Sequence, residues 1–121
     1  MTIQPDNTKF VGNWINSTKQ GEGTYVWVSG RAYHGSYIND LKDGQGVYFF
    51  DDGRAYVGGW AKGQQHGIGF TVFPNSKIIK QNFEAGKRKE RLNAEPAETE
   101  TVKATLEAAR KAVAEVPAII A

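Results

Sequence analysis

Cysteine is absent from the 121 residues, methionine occurs once, histidine twice and proline four times. Without cysteine there is no disulfide and no thiolate metal site, and the redox compartment leaves no mark on the chain. No apolar run approaches the ~18 residues of a membrane-spanning helix, and no basic segment leading into an apolar one opens the sequence. Nothing directs the chain out of the cytoplasm, which is the expected compartment. Serine and threonine are scattered with no nucleophile setting, and no acid of fixed geometry can be named for either histidine. The expectation is a protein that is not an enzyme, with no cofactor and no bound metal.

What is present is glycine and aromatic side chains. Fourteen glycines accompany a 12% aromatic fraction, within 40% apolar and 23% charged residues. That is an ordinary balance for one small globular domain. Phe10, Tyr33, Tyr56 and Ile79 are spaced by 23 residues. Gly12, Gly35 and Gly58 follow the first three by two, and Trp14, Tyr37, Trp60 and Phe83 follow by four. Gly21-x-Gly23, Gly44-x-Gly46 and Gly67-x-Gly69 come next, then Gly30, Gly53 and Ser76 in step. The unit reads aromatic-x-Gly-x-aromatic, a gap, Gly-x-Gly, a short apolar run and a turn. The fourth copy decays after Phe83, with Gln81 in place of glycine.

Alternation by two puts aromatic, glycine and aromatic on one face of a strand. Val47-Tyr48-Phe49-Phe50 is β-branched and aromatic between turn signals, and reads as the returning strand. Each unit is therefore a β-hairpin, and the hairpins join as a meander. Asp51-Asp52-Gly53 suits a three-residue loop closed by a left-handed glycine. That loop pairs Phe50 with Arg54 and Tyr48 with Tyr56. A broader loop from Ile38 to Asp43 pairs Tyr37 with Gly44 and Gly35 with Gly46, leaving Tyr33 opposite Tyr48. Rings then lie beside glycines of the neighbouring strand, a device that holds such sheets together. The Gly-x-Gly pairs are not a dinucleotide fingerprint, because no βαβ unit surrounds them.

Tyr56-Val-Gly-Gly-Trp60-Ala-Lys-Gly-Gln-Gln-His66-Gly67-Ile-Gly69 resembles the MORN (membrane occupation and recognition nexus) consensus. Tyr33-His-Gly-Ser-Tyr37 through Gly44-Gln-Gly46-Val-Tyr48 matches it nearly as well, and Phe10 through Tyr25 is a looser copy. The resemblance covers roughly Phe10 to Gly86. It implies a mainly β fold: a single-layer antiparallel meander of about three and a half hairpin repeats, followed here by a C-terminal α-helix. It also implies a groove used for binding peptides or for self-association, with phosphoinositide binding a further implied activity. The organisation expected is a leader over 1–9, a repeat sheet over 10–91, and a linker and helix over 92–121.

After Asn93 the composition shifts to alanine and glutamate. Glu98 to Val116 is rich in helix formers, with Val102, Leu106, Ala109, Val113 and Val116 in one apolar stripe and Pro117 marking the end. A ring-rich face of a single sheet forfeits roughly 1.5–3 kcal/mol for each large side chain left uncovered. The helix is the expected cover for that face, either of its own sheet or of a partner's; the alternative reading is a semi-detached helix after a disordered linker.

Charge is uneven. Residues 1–76 balance six basic against six acidic side chains, whereas Lys77 to Arg91 carries six basic against Glu84 and Glu90. The more economical reading of that cluster is a solvated boundary between repeats and helix. Lys87, Arg88, Lys89 and Arg91 are the candidates for attachment to anionic lipid headgroups, at about 1 kcal/mol per side chain near the surface. The aromatic positions are accounted for by the repeat, so no nucleic-acid partner is expected. His34 occupies a variable position facing away from the rings, and His66 reads as a turn residue. Asp51 and Asp52 read as turn residues too, with weak cation binding by the adjacent carboxylates as the alternative.

The function expected is a non-enzymatic module for protein–protein interaction or scaffolding. Trp14, Tyr25, Tyr33, Tyr37, Tyr48, Tyr56 and Trp60 are its candidate anchors for a protein or peptide, being large side chains of the kind that dominate interfaces. The same rings are needed to hold the sheet. Open edge strands invite pairing with another chain, so homodimerisation is a second expected mode. The alternative function is peripheral attachment to anionic membranes through the basic segment.

Overall fold

Segments that alternate by two must give one strand face to rings and the other to aliphatic side chains. The chain does this in one sheet, seen in a computed structural model that describes residues 2–3, 9–27 and 29–120, with side chains for 9–27 and 29–116. Strands β1 (Thr2–Ile3), β2 (Lys9–Ile15), β3 (Thr18–Val26), β4 (Ala32–Ile38) and β5 (Leu41–Phe49) are followed by β6 (Ala55–Ala61), β7 (Gln64–Val72), β8 (Ile78–Glu84) and β9 (Lys87–Leu92). They lie side by side in chain order, each pair antiparallel. Helix α1 (Pro96–Ile120) closes the described chain.

Two kinds of turn join the strands. Inside each hairpin the turn has two residues, both left-handed: Asn16-Ser17, Asn39-Asp40, Lys62-Gly63 and Ala85-Gly86. Such turns carry the twist that antiparallel strands need. Between hairpins the loop has three residues. The Phe50 amide donates to the Arg54 carbonyl at 2.9 Å across Asp51-Asp52-Gly53, and the Phe73 amide does the same to Lys77.

The expected register holds between and along the repeats: Tyr48 faces Tyr56, Tyr33 faces Tyr48 and Gly35 faces Gly46. One pairing differs. Tyr37 faces Lys42, not Gly44, because the turn is the tight Asn39-Asp40 pair rather than a broad loop. The two extra residues are absorbed in a bulge at Gly44, whose φ is 92°. The same irregularity follows Gly12 and Gly58 in the other repeats. It also corrects His66, which lies inside β7 next to the bulge at Gly67 rather than in a turn.

Helix α1 starts two residues before Glu98. Pro96 sits at the first helical position, where its missing N–H costs nothing, and the Glu98 carboxylate accepts a bond from the Glu95 amide at 2.9 Å. Lys80 on β8 reaches the same carboxylate at 2.8 Å and ties the helix start to the sheet. The helix continues past Pro117 to Ile120, one turn beyond the expected end.

The helix packs on its own sheet, but not on the face expected. Val102, Leu106 and Ala109 bury against Val47, Ala55, Val57 and Val72, with Phe49, Phe70 and Ile78 around them. That is the aliphatic face. The rings form a separate cluster on the other side, from Phe10 through Tyr33, Tyr37, Tyr56 and Trp60 to Phe83. The helical stripe of Val, Leu and Ala is shallow, and it matches small β-branched side chains better than an uneven surface of rings. None of the helices among the described residues is long and apolar enough to cross a membrane.

Candidate functional site

The ring face is built from glycines upward. A Cβ on Gly46 would strike the Tyr33 ring, and one on Gly69 would strike the Tyr56 ring; Gly23 stands in the same relation to Phe10, at 2.6 Å. Each first aromatic of a repeat thus lies flat across the second glycine of Gly-x-Gly on the neighbouring strand. The Tyr33 hydroxyl donates to the Ser36 carbonyl and the Tyr56 hydroxyl to the Gly59 carbonyl, both at 3.0 Å. Burial pushes the Tyr56 phenol up to about 12 and raises Tyr33 and Tyr37 further.

The second aromatics stand edge-on to the first. Trp14, Phe10, Tyr37, Tyr33, Trp60, Tyr56 and Phe83 form an unbroken ladder of T-shaped contacts, with centroids 5.3–5.5 Å apart. Edge-to-face pairs of this kind contribute ~0.5–1.5 kcal/mol each beyond burial. The ladder runs across the strands and floors the face.

A second row of rings sits on this floor, half-buried and without a lid. Tyr25 and Trp27 are 4.4 Å apart, Tyr48 and Phe50 4.9 Å, and Trp27 and Tyr48 5.9 Å. Lys42 projects among them, its ammonium 5.2–5.9 Å from the Trp60, Tyr33, Tyr48 and Trp27 centroids. Burial, and secondarily the Arg31 guanidinium, lower its pKa from the usual lysine value. Arg31 lies over Trp27 at 5.5 Å and donates to the Tyr48 hydroxyl at 3.4 Å. Arg31, Lys42, Tyr48, Phe50 and Trp60 line an open groove of about 600 Å³, together with Gly63 and Asp51. Cations held over ring faces and half-buried aromatic walls give the groove both charge and apolar surface. No cluster of three or more His, Asp or Glu side chains that could hold a metal occurs among the described residues.

The MORN repeat profile matches residues 10–30, 33–53 and 56–77, together more than half of the chain. The chain belongs to the MORN repeat family. MORN repeats bind proteins and membranes and are not catalytic in themselves. No curated protein matches this chain.

Within the MORN array the seven candidate anchors divide. Tyr33, Tyr56, Tyr37 and Trp60 are 0–8% exposed and belong to the floor. Trp14 is 42% exposed at the end of the ladder, and Tyr25 and Tyr48 are half-buried in the upper row. Phe50, Lys42 and Arg31 line the groove, Trp27 belongs to the upper row beside it, and none of the four was among the candidates. For Trp27 and Phe50 a signal existed, since each follows an upper-row tyrosine by two, one residue past the end of its strand. For Lys42 it was hidden by the wrong hairpin loop. His34 is on the helix side, with Nδ1 2.7 Å from the Thr24 hydroxyl.

Lys87, Arg88, Lys89 and Arg91 lie on β9, the last strand of the MORN sheet, and are exposed. None of the four forms an ion pair among the described residues. They are not one patch. Arg88 faces Phe83 and Arg91 faces Gln81, which places both on the ring side, while Lys87 faces Glu84.

Proposed function

We propose that this MORN array is a non-enzymatic interaction module that takes a polypeptide segment across the strands, along the groove of the ring face. The single observation that carries this reading is the upper row Tyr25, Trp27, Tyr48 and Phe50, half-buried on the face opposite the helix. With α1 on the aliphatic face, the sheet has its core, and the upper row is not needed as a second one. Self-association through the sheet edges is disfavoured at β9, where two basic edges would repel. The test is selection of random dodecapeptides on phage against the immobilised full chain, with Trp27→Ala and Tyr48→Ala as counterparts. Peptides are expected that bind the wild-type chain and lose at least ~tenfold affinity for both variants, the loss typical of interface aromatics. Recovery of no such peptides would sink the proposal.

A second reading has one specific support, the exposed cations of β9. Sedimentation with vesicles of phosphatidylcholine, with and without phosphatidylserine, tests it. Charge reversal at Lys87, Arg88, Lys89 and Arg91 should abolish serine-dependent binding, and retention of binding refutes electrostatic attachment through this strand.

A further inference from the structure

The repeats supply their own template for what binds Lys42. In the hairpin turn that follows β4, Asp40 leans back onto the previous hairpin. Its amide donates to the Lys19 carbonyl at 3.1 Å, its carboxylate accepts from the Lys19 amide at 2.7 Å, and the same carboxylate lies 3.7 Å from the Lys19 ammonium. Lys19 meanwhile stands over Trp14, Phe10 and Tyr25 at 5.1–5.4 Å. The unit is a lysine on a bed of rings, neutralised by an acid from the next turn.

One repeat on, the lysine and the bed recur and the acid does not. Lys42 holds the position of Lys19, among Trp60, Tyr33 and Tyr48. The turn residue above it is Gly63, whose amide donates to the Lys42 carbonyl at 2.8 Å just as Asp40 does to Lys19. Gly63 has no side chain to offer. Lys42 makes no ion pair among the described residues, and its neighbour Arg31 adds a second positive charge. The space a carboxylate would fill is open: a Cβ on Gly63 would meet only Leu41, at 3.7 Å. The groove passes through that space, and Asp51, the one acid lining it, follows the far end of β5 from Lys42. Trp60, 8% exposed and on the same wall, has an indole N–H with no hydrogen-bond partner among the described residues.

We infer that the groove is specific for an acidic polypeptide segment, one of whose Asp or Glu carboxylates takes at Lys42 the place that Asp40 holds at Lys19. This rests on the groove-binding reading above and adds its chemistry. The segment's apolar side chains lie on the upper-row rings, while the carboxylate enters beside Gly63 and sets the register. Charge-assisted pairing in a half-buried site is stronger than at an open surface, so the acid contributes both affinity and selectivity.

Gly63→Asp tests this, because it returns the missing acid to the chain itself. The turn accepts it, since Asp40 adopts a φ of 71° at the equivalent position and Gly63 a φ of 85°. Gly63→Asn is the neutral control of nearly equal shape, and Lys42→Met removes the cation while keeping a flexible apolar stem over the rings. The probes are the dodecapeptides selected on the wild-type chain, measured by fluorescence anisotropy. An Asp or Glu at one fixed spacing from an apolar residue is expected, with affinity lost at least ~tenfold in Gly63→Asp and Lys42→Met and held within about twofold in Gly63→Asn. Peptides that lack a common acid, or that bind Gly63→Asp as well as wild type, overturn the inference while leaving groove binding intact. An absence of groove-binding peptides overturns both. Phosphatidylserine vesicles that bind the wild-type chain, and lose binding in Lys42→Met while peptides do not, assign the site to a phosphate headgroup and overturn it as well.

Discussion

Two glycines of one motif should fail for opposite reasons when replaced, and the contrast tests how the sheet is held. At Gly69 a new methyl would enter the space of the Tyr56 ring, which is fully buried. The ring must lift. It then loses its bond to the Gly59 carbonyl, about 1 kcal/mol, and edge contacts with Trp60 and Phe83, ~0.5–1.5 kcal/mol each. Part of its burial goes as well, and about 0.5–1 kcal/mol is regained from a stiffer unfolded chain. Gly69→Ala should therefore cost about 2–4 kcal/mol, near the upper end for overpacking. At Gly67, two residues earlier, nothing lies within 4 Å of the added methyl, but φ is 79°. Gly67→Ala should cost about 1–2 kcal/mol from backbone strain alone, and Gly67→Asn less, because asparagine tolerates that conformation. Urea denaturation followed by tryptophan fluorescence measures all three. The discriminating variant is Tyr56→Leu combined with Gly69→Ala. With the ring gone the methyl finds room, so the double change should cost clearly less than the sum of its parts. Additive losses, or equal losses at Gly67 and Gly69, would refute the ring-over-glycine account.

The other predictions concern the helix, the tyrosines and the groove. Leu106→Ala should lower stability by about 2–4 kcal/mol by opening a cavity under α1, while peptide affinity at the opposite face stays unchanged; calorimetry and anisotropy separate the two effects. Tyr33, Tyr37 and Tyr56 have phenol pKa values raised by burial, so they bind protons more tightly in the folded chain. The stability they contribute is complete below the ordinary value of 10.0 and is lost as pH rises through about 12 for Tyr56. Tyrosinate absorbance from these three should accordingly appear together with loss of near-ultraviolet dichroism; its appearance in a fully folded chain would contradict their burial. Tyr48→Ala should weaken peptide binding far more than it lowers Tm, whereas Tyr33→Ala should unfold much of the sheet, as thermal melts would show.

Much of the sheet was legible because its period is short. Aromatic, glycine and aromatic at spacing two fix which side chains share a face, and a 23-residue repeat carries that parity from hairpin to hairpin. The between-repeat pairing of Tyr48 with Tyr56 followed from one loop length. Within the hairpin, the bulge at Gly44 escaped because a left-handed glycine in Gly-x-Gly looks like any other until its φ is known. The helix start was nearly right, since Glu98 carries its own cap. The helix face was misjudged because exposed rings were assumed to need a lid. Rings lying flat on glycines bury one another, and Val47, Val57 and Val72 on the other side had the greater need. Four of the seven proposed anchors proved to be floor for the same reason.

The ladder of rings also sets a unit of length for whatever lies along it. Two strands advance the floor by about 9.6 Å per repeat, at ~4.8 Å per strand. An extended β-type segment covers that distance in about three residues, and three is odd. Successive repeats would meet opposite sides of such a ligand. A polyproline II segment returns to the same side every three residues, at about 9.3 Å. A ligand that offers each hairpin an equivalent side chain must therefore be threefold rather than twofold in its own backbone, and adding one hairpin lengthens the message it can read by one such triplet.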